Sequence, residues 1–267
     1  MELRRRVATA VLLLPPAVAL VLYAPSWALA LVFAAILGVA ALEWAPLAGC
    51  RPEWQSWAFA AVVLALTWAV WTLGGGQVAA GRTVLAAGLA WWTFALAWVV
   101  WRWRLPTALK LFGGCLTLVP AWFAVLALHQ LPGGPVLVML LLLMVWAADV
   151  GAYFVGHRFG RRKLAPEVSP GKTWEGALGG ICFAGLVALV GAALAGYDLI
   201  TFTLLALASI AVSIVGDLAE SLLKRQAQVK DSGALLPGHG GVLDRLDSLF
   251  AAAPVFLVGF LTLGGLQ

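Results

Sequence analysis

Charge is what this sequence has least of. Asp, Glu, Lys and Arg make up 11% of its 267 residues, less than half of the about 25% found in soluble domains. So few charges cannot cover the surface of a water-soluble fold of this size. Disorder is excluded as well, because disordered chains are poor in hydrophobic residues, and here these reach 63% with a mean hydropathy of +0.98. Cysteine is also scarce. Cys50, Cys115 and Cys182 lie far apart and form no CxxC pair, which excludes a disulfide framework and a cysteine zinc site. Each is expected to be a small buried hydrophobe. No internal repeat is visible. What is abundant is apolar and aromatic: 14 Trp and 12 Phe, rings that suit membrane–water boundaries. The chain reads as an all-α, polytopic integral membrane protein.

A spanning helix needs about 20 mostly apolar residues. Nine windows qualify: 7–23, 27–48, 54–73, 83–101, 111–131, 135–155, 175–195, 199–217 and 248–265. Each is expected to be helical, because backbone groups in lipid must be satisfied within their own segment. Gly and Pro punctuate the joints at Pro25, Gly74–Gly76 and Pro132–Gly134. The first window follows Arg4, Arg5 and Arg6 and has the outline of a signal peptide. It runs straight into a second apolar segment with little polar relief, so it is read as a retained span.

With the N-terminus in the cytoplasm, alternate loops collect Arg4, Arg5 and Arg6; Arg51; Arg102, Arg104 and Lys110; Arg158, Arg161, Arg162, Lys163 and Lys172; and Lys224, Arg225, Lys230 and Arg245. Of the 17 basic residues only Arg82 falls on the other side. Positive charge concentrates on the cytoplasmic face of membrane proteins, so the N-terminus is expected inside and Gln267 in the periplasm. The net charge of +5 then reflects orientation and anionic partners at the membrane surface, not nucleic-acid binding.

The acids are equally uneven, since nine of the 12 lie after residue 148. One membrane domain, 1–267, is therefore expected to comprise scaffold spans over 1–134 and a catalytic half over 135–267. Asp149 lies inside the sixth window, where a carboxylate is costly unless it meets a partner or a wet cavity. The stretch Ser169-Pro170-Gly171-Lys172-Thr173-Trp174-Glu175-Gly176 contains a Gly-Lys-Thr. A phosphate-binding P-loop would need glycine where Pro166 stands and a preceding strand, so that reading is rejected. A turn, a cation and a hydroxyl opening a helix still suit an anion; an ordinary capped helix start is the alternative.

The stretch from Gly216 to Asp247 carries most of the information. Asp217 and Glu220 are spaced i,i+3 on one helical face, as are Asp244 and Asp247. Packing of the last two spans can bring these pairs together. Neighbouring carboxylates invite a hard cation such as Mg2+, which takes one or two carboxylates plus phosphate oxygens. Lys and Arg residues and a glycine-rich backbone suit phosphates. His129 and His157 are read as structural or surface residues.

The same stretch resembles the signature of the phosphatidate cytidylyltransferase (CDP-diacylglycerol synthase) family. It runs from Ser221, Lys224 and Arg225 through Lys230, Asp231 and Gly233 to Pro237, His239, Gly240, Gly241, Asp244, Arg245 and Asp247. Ser169-Pro170-x-Lys172-Thr173-x-Glu175-Gly176 and Ala148-Asp149-x-x-Ala152-Tyr153 resemble further elements of that family. The resemblance implies transfer of CMP from CTP to phosphatidate, Mg2+ in a paired-metal site with K+ as a candidate second ion, a homodimer, and the bacterial inner membrane. Carried over by position, Asp217 and Asp244 would be metal ligands, with Asp149, Glu220 and Asp247 as further candidates. Asp217, Asp244, Asp247, Lys224 and Arg225 would be catalytic. Ser169, Lys172, Thr173, Lys230, Asp231, His239, Gly240, Gly241 and Arg245 would bind substrate.

Competing readings differ in chemistry. A CTP-dependent polyprenol kinase would need a general base for an alcohol, and His239 or an Asp could serve. The spacing of CDP-alcohol phosphotransferases is absent. A secondary transporter would place interrupted helices in two related halves, whereas the acids here lie in one half.

Overall fold

The computed structural model describes residues 14–74, 78–233 and 240–264. The helices are α1 (Leu14–Tyr23), α2 (Ser26–Ala48), α3 (Glu53–Gly74), α4 (Val78–Trp101), α5 (Thr107–His129), α6 (Gly134–Phe159), α7 (Trp174–Ala195), α8 (Leu199–Gln226) and α9 (Leu243–Thr262). Eight of them, α2 to α9, are long and apolar enough to cross a membrane. The expected span 7–23 is described only as α1; its first residues lie outside the described part. The architecture is all-α and polytopic, as the hydropathy pattern predicts.

Five ends of α2 to α9 differ from expectation by four residues or more: α4 begins at Val78 and α5 at Thr107, and three others lie beside the charged stretches. α6 continues to Phe159 and α8 to Gln226, while α9 begins at Leu243. A hydropathy window stops at the first charges, but a helix continues wherever polar groups fall on one side of it. Asp217, Glu220, Lys224, Asp244 and Asp247 are consequently all helical. At the start of α8, the Asp198 carboxylate accepts from the Thr201 hydroxyl (2.6 Å) and amide (2.8 Å). These bonds hold the Asp198 carboxyl below its ordinary pKa. The helix closes in a left-handed turn at Gln228 (φ 61°), with Val229 N–H donating to the Lys224 carbonyl at 3.0 Å.

The basic segment between α6 and α7 contains a hairpin. β1 (Lys163–Ala165) pairs antiparallel with β2 (Ser169–Thr173), Lys163 opposite Thr173 and Ala165 opposite Ser169. Lys172 therefore lies on a strand, not in a turn. The Glu175 carboxylate secures the hairpin by accepting from the amides of Arg161 (3.0 Å) and Arg162 (3.2 Å). Thr173 caps α7, its Oγ1 accepting from Gly176 N–H at 3.1 Å.

The chain forms two compact units. One comprises Met1–Gly88, Arg104–Met139 and Leu223–Leu246. Its core is α5, buried continuously from Thr117 to His129 and packed on α2 and α3. Trp44 donates to the Lys110 carbonyl at 2.9 Å. The His129 ring bonds the Ser26 hydroxyl and the Val21 carbonyl, both at 2.9 Å, which makes it structural, as expected.

The other unit comprises Leu89–Trp103, Leu140–Leu222 and Asp247–Gln267. Here α6 and α7 meet through small residues. A Cβ on Gly180 would stand 2.6 Å from the Ala148 carbonyl, and one on Gly176 2.9 Å from that of Ala152. Such close backbone approach is how helices associate in lipid, where apolar side chains give no net drive. Cys50 is buried and Cys115 half-buried, but Cys182 is exposed, contrary to expectation. It sits on the α7 face that carries the exposed Leu178, Phe183 and Leu186, a face apolar enough for lipid, so its exposure carries no penalty there.

Candidate active site

The second unit holds a cavity of about 580 Å³ between α6, α7, α8 and the hairpin. One wall is apolar and small, with Ala148, Ala152, Gly156, Gly176, Ala177 and Gly180, backed by Ile181, Ile210 and Ile214. The polar side presents Asp149, Lys163, Lys172, Thr173, Asp217 and Ser248. Glycine and alanine on α6 and α7 open this volume, and the hairpin delivers Lys172 into it. Lys172 pairs with the Asp217 carboxylate, and about a quarter of each side chain remains exposed (26% and 29%). The pair is thus reachable from the cavity. Tyr153 and His157, one turn apart on α6, stack at 6.0 Å with rings 8° from parallel and also line the wall.

Asp247, one turn into α9, lies within electrostatic reach of Asp217 and Lys172 and shares a hydrogen bond with Glu220. Its Oδ1 accepts from Ser248 N–H at 2.6 Å. Only one member of the second acidic pair joins the first: Asp217 and Glu220 from α8 meet Asp247 from α9, while Asp244 turns to Lys224, Ser232 and Gly241 instead. Among the described residues no three His, Cys, Asp or Glu side chains form a ready cage for a metal ion. Mg2+ does not require one, since it binds through one or two carboxylates together with substrate phosphates and water. Asp217, open to the cavity, with Asp247 close to it fits that donor set.

The first unit holds a second ionic cluster. Lys224 donates to Asp244 Oδ1 at 2.6 Å, and both side chains are largely buried (12% and 9% exposed). Asp244 Oδ2 accepts from Ser232 N–H (3.0 Å), Ser232 Oγ (3.0 Å) and Gly241 N–H (2.8 Å). This carboxylate is fully engaged by its own loop. Behind it stands Glu43 of α2. Its Oε1 accepts from Val242 N–H (3.0 Å), and its Oε2 from Leu243 N–H (2.8 Å) and Ser232 Oγ (2.9 Å).

The sequence pattern of the cytidylyltransferase family matches residues 4–263. The chain belongs to the cytidylyltransferase family. It is 43% identical over 281 aligned residues to the phosphatidate cytidylyltransferase of Pseudomonas aeruginosa, with 95% of each chain covered. It is 39% identical to the phosphatidate cytidylyltransferase of Haemophilus influenzae, with 95% of this chain and 97% of the relative covered. An uncharacterized protein of Escherichia coli, YnbB, is 33% identical over 89% of this chain and 80% of its own.

Set against the residues predicted from sequence, this cytidylyltransferase gathers Asp149, Lys172, Thr173 and Asp217 around one cavity, with Asp247 and Glu220 adjoining. Lys224, Gly240, Gly241 and Asp244 gather in the other unit. Arg225, Lys230, Asp231 and Arg245 are exposed there. Ser169, at the start of β2, does not line the cavity. His239, with Pro237, lies outside the described residues. Lys163 and Ser248 of the cavity were not assigned to the site from sequence, and two further residues escaped that reading. His157, read as structural or surface, stands on the cavity wall; only its i,i+4 spacing from Tyr153 and Asp149's position a turn further back hinted at that. Glu43 was passed over within a scaffold span, although a carboxylate inside an apolar run was itself the signal.

Proposed function

We propose that this protein transfers the cytidylyl group of CTP to phosphatidate, giving CDP-diacylglycerol and diphosphate. The observation that carries the reading is the 43% identity over 95% of the chain to a phosphatidate cytidylyltransferase. The cavity's mixed lining supports it: apolar Ile and Ala walls beside Asp217 and Lys172 suit a phosphate attached to acyl chains. Its volume lies within the range of about 300–1,000 Å³ usual for small-molecule sites.

In the reaction an oxygen of the lipid phosphate bonds to the α-phosphorus of CTP. The bond from that phosphorus to its β-bridging oxygen breaks, and diphosphate leaves with the electron pair. A lipid phosphate is already anionic near neutral pH, so no protein base is needed to create the nucleophile. Positioning and charge neutralisation carry the catalysis. The Lys172–Asp217 pair is a pair of opposite charges that substrate can divide, Lys172 turning to a phosphate oxygen. Asp217, with Asp247 beside it, would hold Mg2+, which supplies Lewis-acid neutralisation of phosphate charge when bound. Asp149 and Lys163 face the same space and set its electrostatic balance. Lys224 and Asp244 contribute as a preorganised buried pair. The same proposal includes the bacterial inner membrane, a cytoplasmic N-terminus, a periplasmic C-terminus and a homodimer. The basic-residue distribution supports the orientation, and the family resemblance supports the dimer.

The test is to incubate the purified protein with Mg2+, either phosphatidate or a polyprenol, and CTP labelled in the α-phosphate or, in a parallel arm, in the γ-phosphate, and to resolve the lipids. Labelled CDP-diacylglycerol from phosphatidate is expected. Label-free lipid with phosphatidate refutes the proposal, and γ-phosphate transfer to polyprenol would replace it with a kinase.

A further inference from the structure

Glu43 lies near the end of α2, a helix of otherwise apolar and small residues, and is 9% exposed. An ionisable side chain in such a run is costly and needs a reason. Its three accepted hydrogen bonds come from two separate stretches: Ser232 on the limb leaving α8, and Val242 and Leu243 on the limb that enters and opens α9. The same two limbs supply the donors that hold Asp244, from Ser232 and Gly241. The Ser232 hydroxyl has one hydrogen and lies 2.9 Å from Glu43 Oε2 and 3.0 Å from Asp244 Oδ2, so the two carboxylates share it. The glycines agree with this arrangement. A Cβ on Gly233 would stand 2.6 Å from Glu43 Oε1, and one on Gly241 would overlap both Ser232 Oγ and Glu43 Oε2. Gly233 and Gly241 are small because Glu43 occupies the space beside them.

We propose that Glu43 is a positioning residue that staples the segment following α8, at Ser232, to the start of α9, at Val242 and Leu243, and thereby fixes the Asp244 carboxylate against Lys224. Its part in turnover rests on the cytidylyltransferase reading; the staple itself does not. Glu43 touches neither Lys224 nor a reacting atom and acts through Ser232 and the amides at the start of α9. Those amides are also where a helix dipole favours negative charge, so a carboxylate from another helix completes the α9 N-terminus.

The test compares the full-length wild type with Glu43→Gln, Glu43→Asp, Ser232→Ala and Glu43→Gln/Ser232→Ala. Hydrogen exchange is followed by mass spectrometry, and kinetics are measured per folded molecule. Gln keeps the shape but turns an NH2 group toward N–H donors. Exchange at the 228–247 peptides should accelerate by about tenfold or more in Glu43→Gln, as expected for loss of charge-assisted bonds, while the 160–175 peptides stay unchanged. kcat should fall by about tenfold or more, with KM for CTP and phosphatidate within about threefold, and Glu43→Asp should recover part of it. The double variant should be no slower than Glu43→Gln beyond about twofold, because both changes cut one network. Wild-type kcat in Glu43→Gln, additive losses in the double variant, or exchange that accelerates equally throughout the chain would overturn the proposal. If Glu43→Gln does not accumulate folded, Ser232→Ala alone carries both readouts, and unchanged exchange and kcat there overturn it. A wild type that makes no CDP-diacylglycerol refutes the activity reading instead, and the exchange pattern then decides the staple by itself.

Discussion

Replacing Asp244 by Asn removes one charge while preserving shape, and the two oxygens of this carboxylate have different partners to lose. Oδ1 faces the Lys224 ammonium at 2.6 Å, and Oδ2 takes three donors between 2.8 and 3.0 Å. An amide has one acceptor end, so its NH2 must point either at the ammonium or at the Ser232 and Gly241 amides. Either orientation sets donors against donors. Each hydrogen bond to a charged group is worth about 1.5–3 kcal/mol, and breaking a buried ion pair by removing one partner costs about 3–5 kcal/mol. The side chains here are 12% and 9% exposed, and one acceptor survives, so about 3 kcal/mol is expected. For a chain of this size that lowers the Tm by roughly 6–12 °C, readable from tryptophan fluorescence in detergent. Turnover of labelled CTP into lipid should be lost. Lys224→Met/Asp244→Asn should regain about 1 kcal/mol or more relative to the sum of the single variants, because no ammonium is left unmatched, yet remain inactive. Wild-type Tm and turnover in Asp244→Asn would refute the reasoning, and strict additivity would refute the buried-pair part of it.

Lys172→Met should lower catalytic efficiency by about ten- to a hundredfold, the value of one charge-assisted bond to a phosphate; unchanged steady-state constants for both substrates would return Lys172 to a purely structural pairing with Asp217. Gly180→Val places a side chain where Cβ already meets the Ala148 carbonyl at 2.6 Å, so α6 and α7 must separate. A loss of about 1–3 kcal/mol and of activity is expected, with wild-type thermal unfolding as the contrary result. A reporter that is active only in the periplasm should be active when fused after Gln267; activity of a cytoplasm-only reporter there instead would sink the proposed orientation.

Burial explains why both ionic clusters are built as lysine–carboxylate pairs. A lone carboxylate buried in protein is costly, and an ammonium beside it offsets the penalty. The two pairs differ in depth. Lys224–Asp244 is nearly closed off, and extra hydrogen bonds saturate its carboxylate. Lys172–Asp217 is about a quarter exposed and lines a cavity. The closed pair suits rigidity, and the open one suits exchange of partners with a phosphate and a cation.

Composition and periodicity alone determined the membrane class, the approximate positions of α2 to α9 and the asymmetry of charge, because lipid imposes on each helix a length and an apolarity that are readable residue by residue. The motif spacing around Asp217, Lys224, Asp244 and Asp247 likewise pointed to phosphate chemistry, since i,i+3 carboxylates share a helical face whatever surrounds them. Hydropathy could not locate the true ends of α6, α8 and α9 or the hairpin that presents Lys172, because these depend on where polar groups find partners: Glu175 on the Arg161 and Arg162 amides, Lys224 on Asp244. Only the tertiary structure assigned Asp217 to Lys172 and Asp244 to Lys224, for which the sequence offered several nearby cations of the same sign. It alone brought Glu43 to Ser232 and Leu243, about 190 and 200 residues away in sequence. No local pattern encodes such a meeting, because it arises from α2 and the segments around Ser232 and Leu243 folding into the same unit.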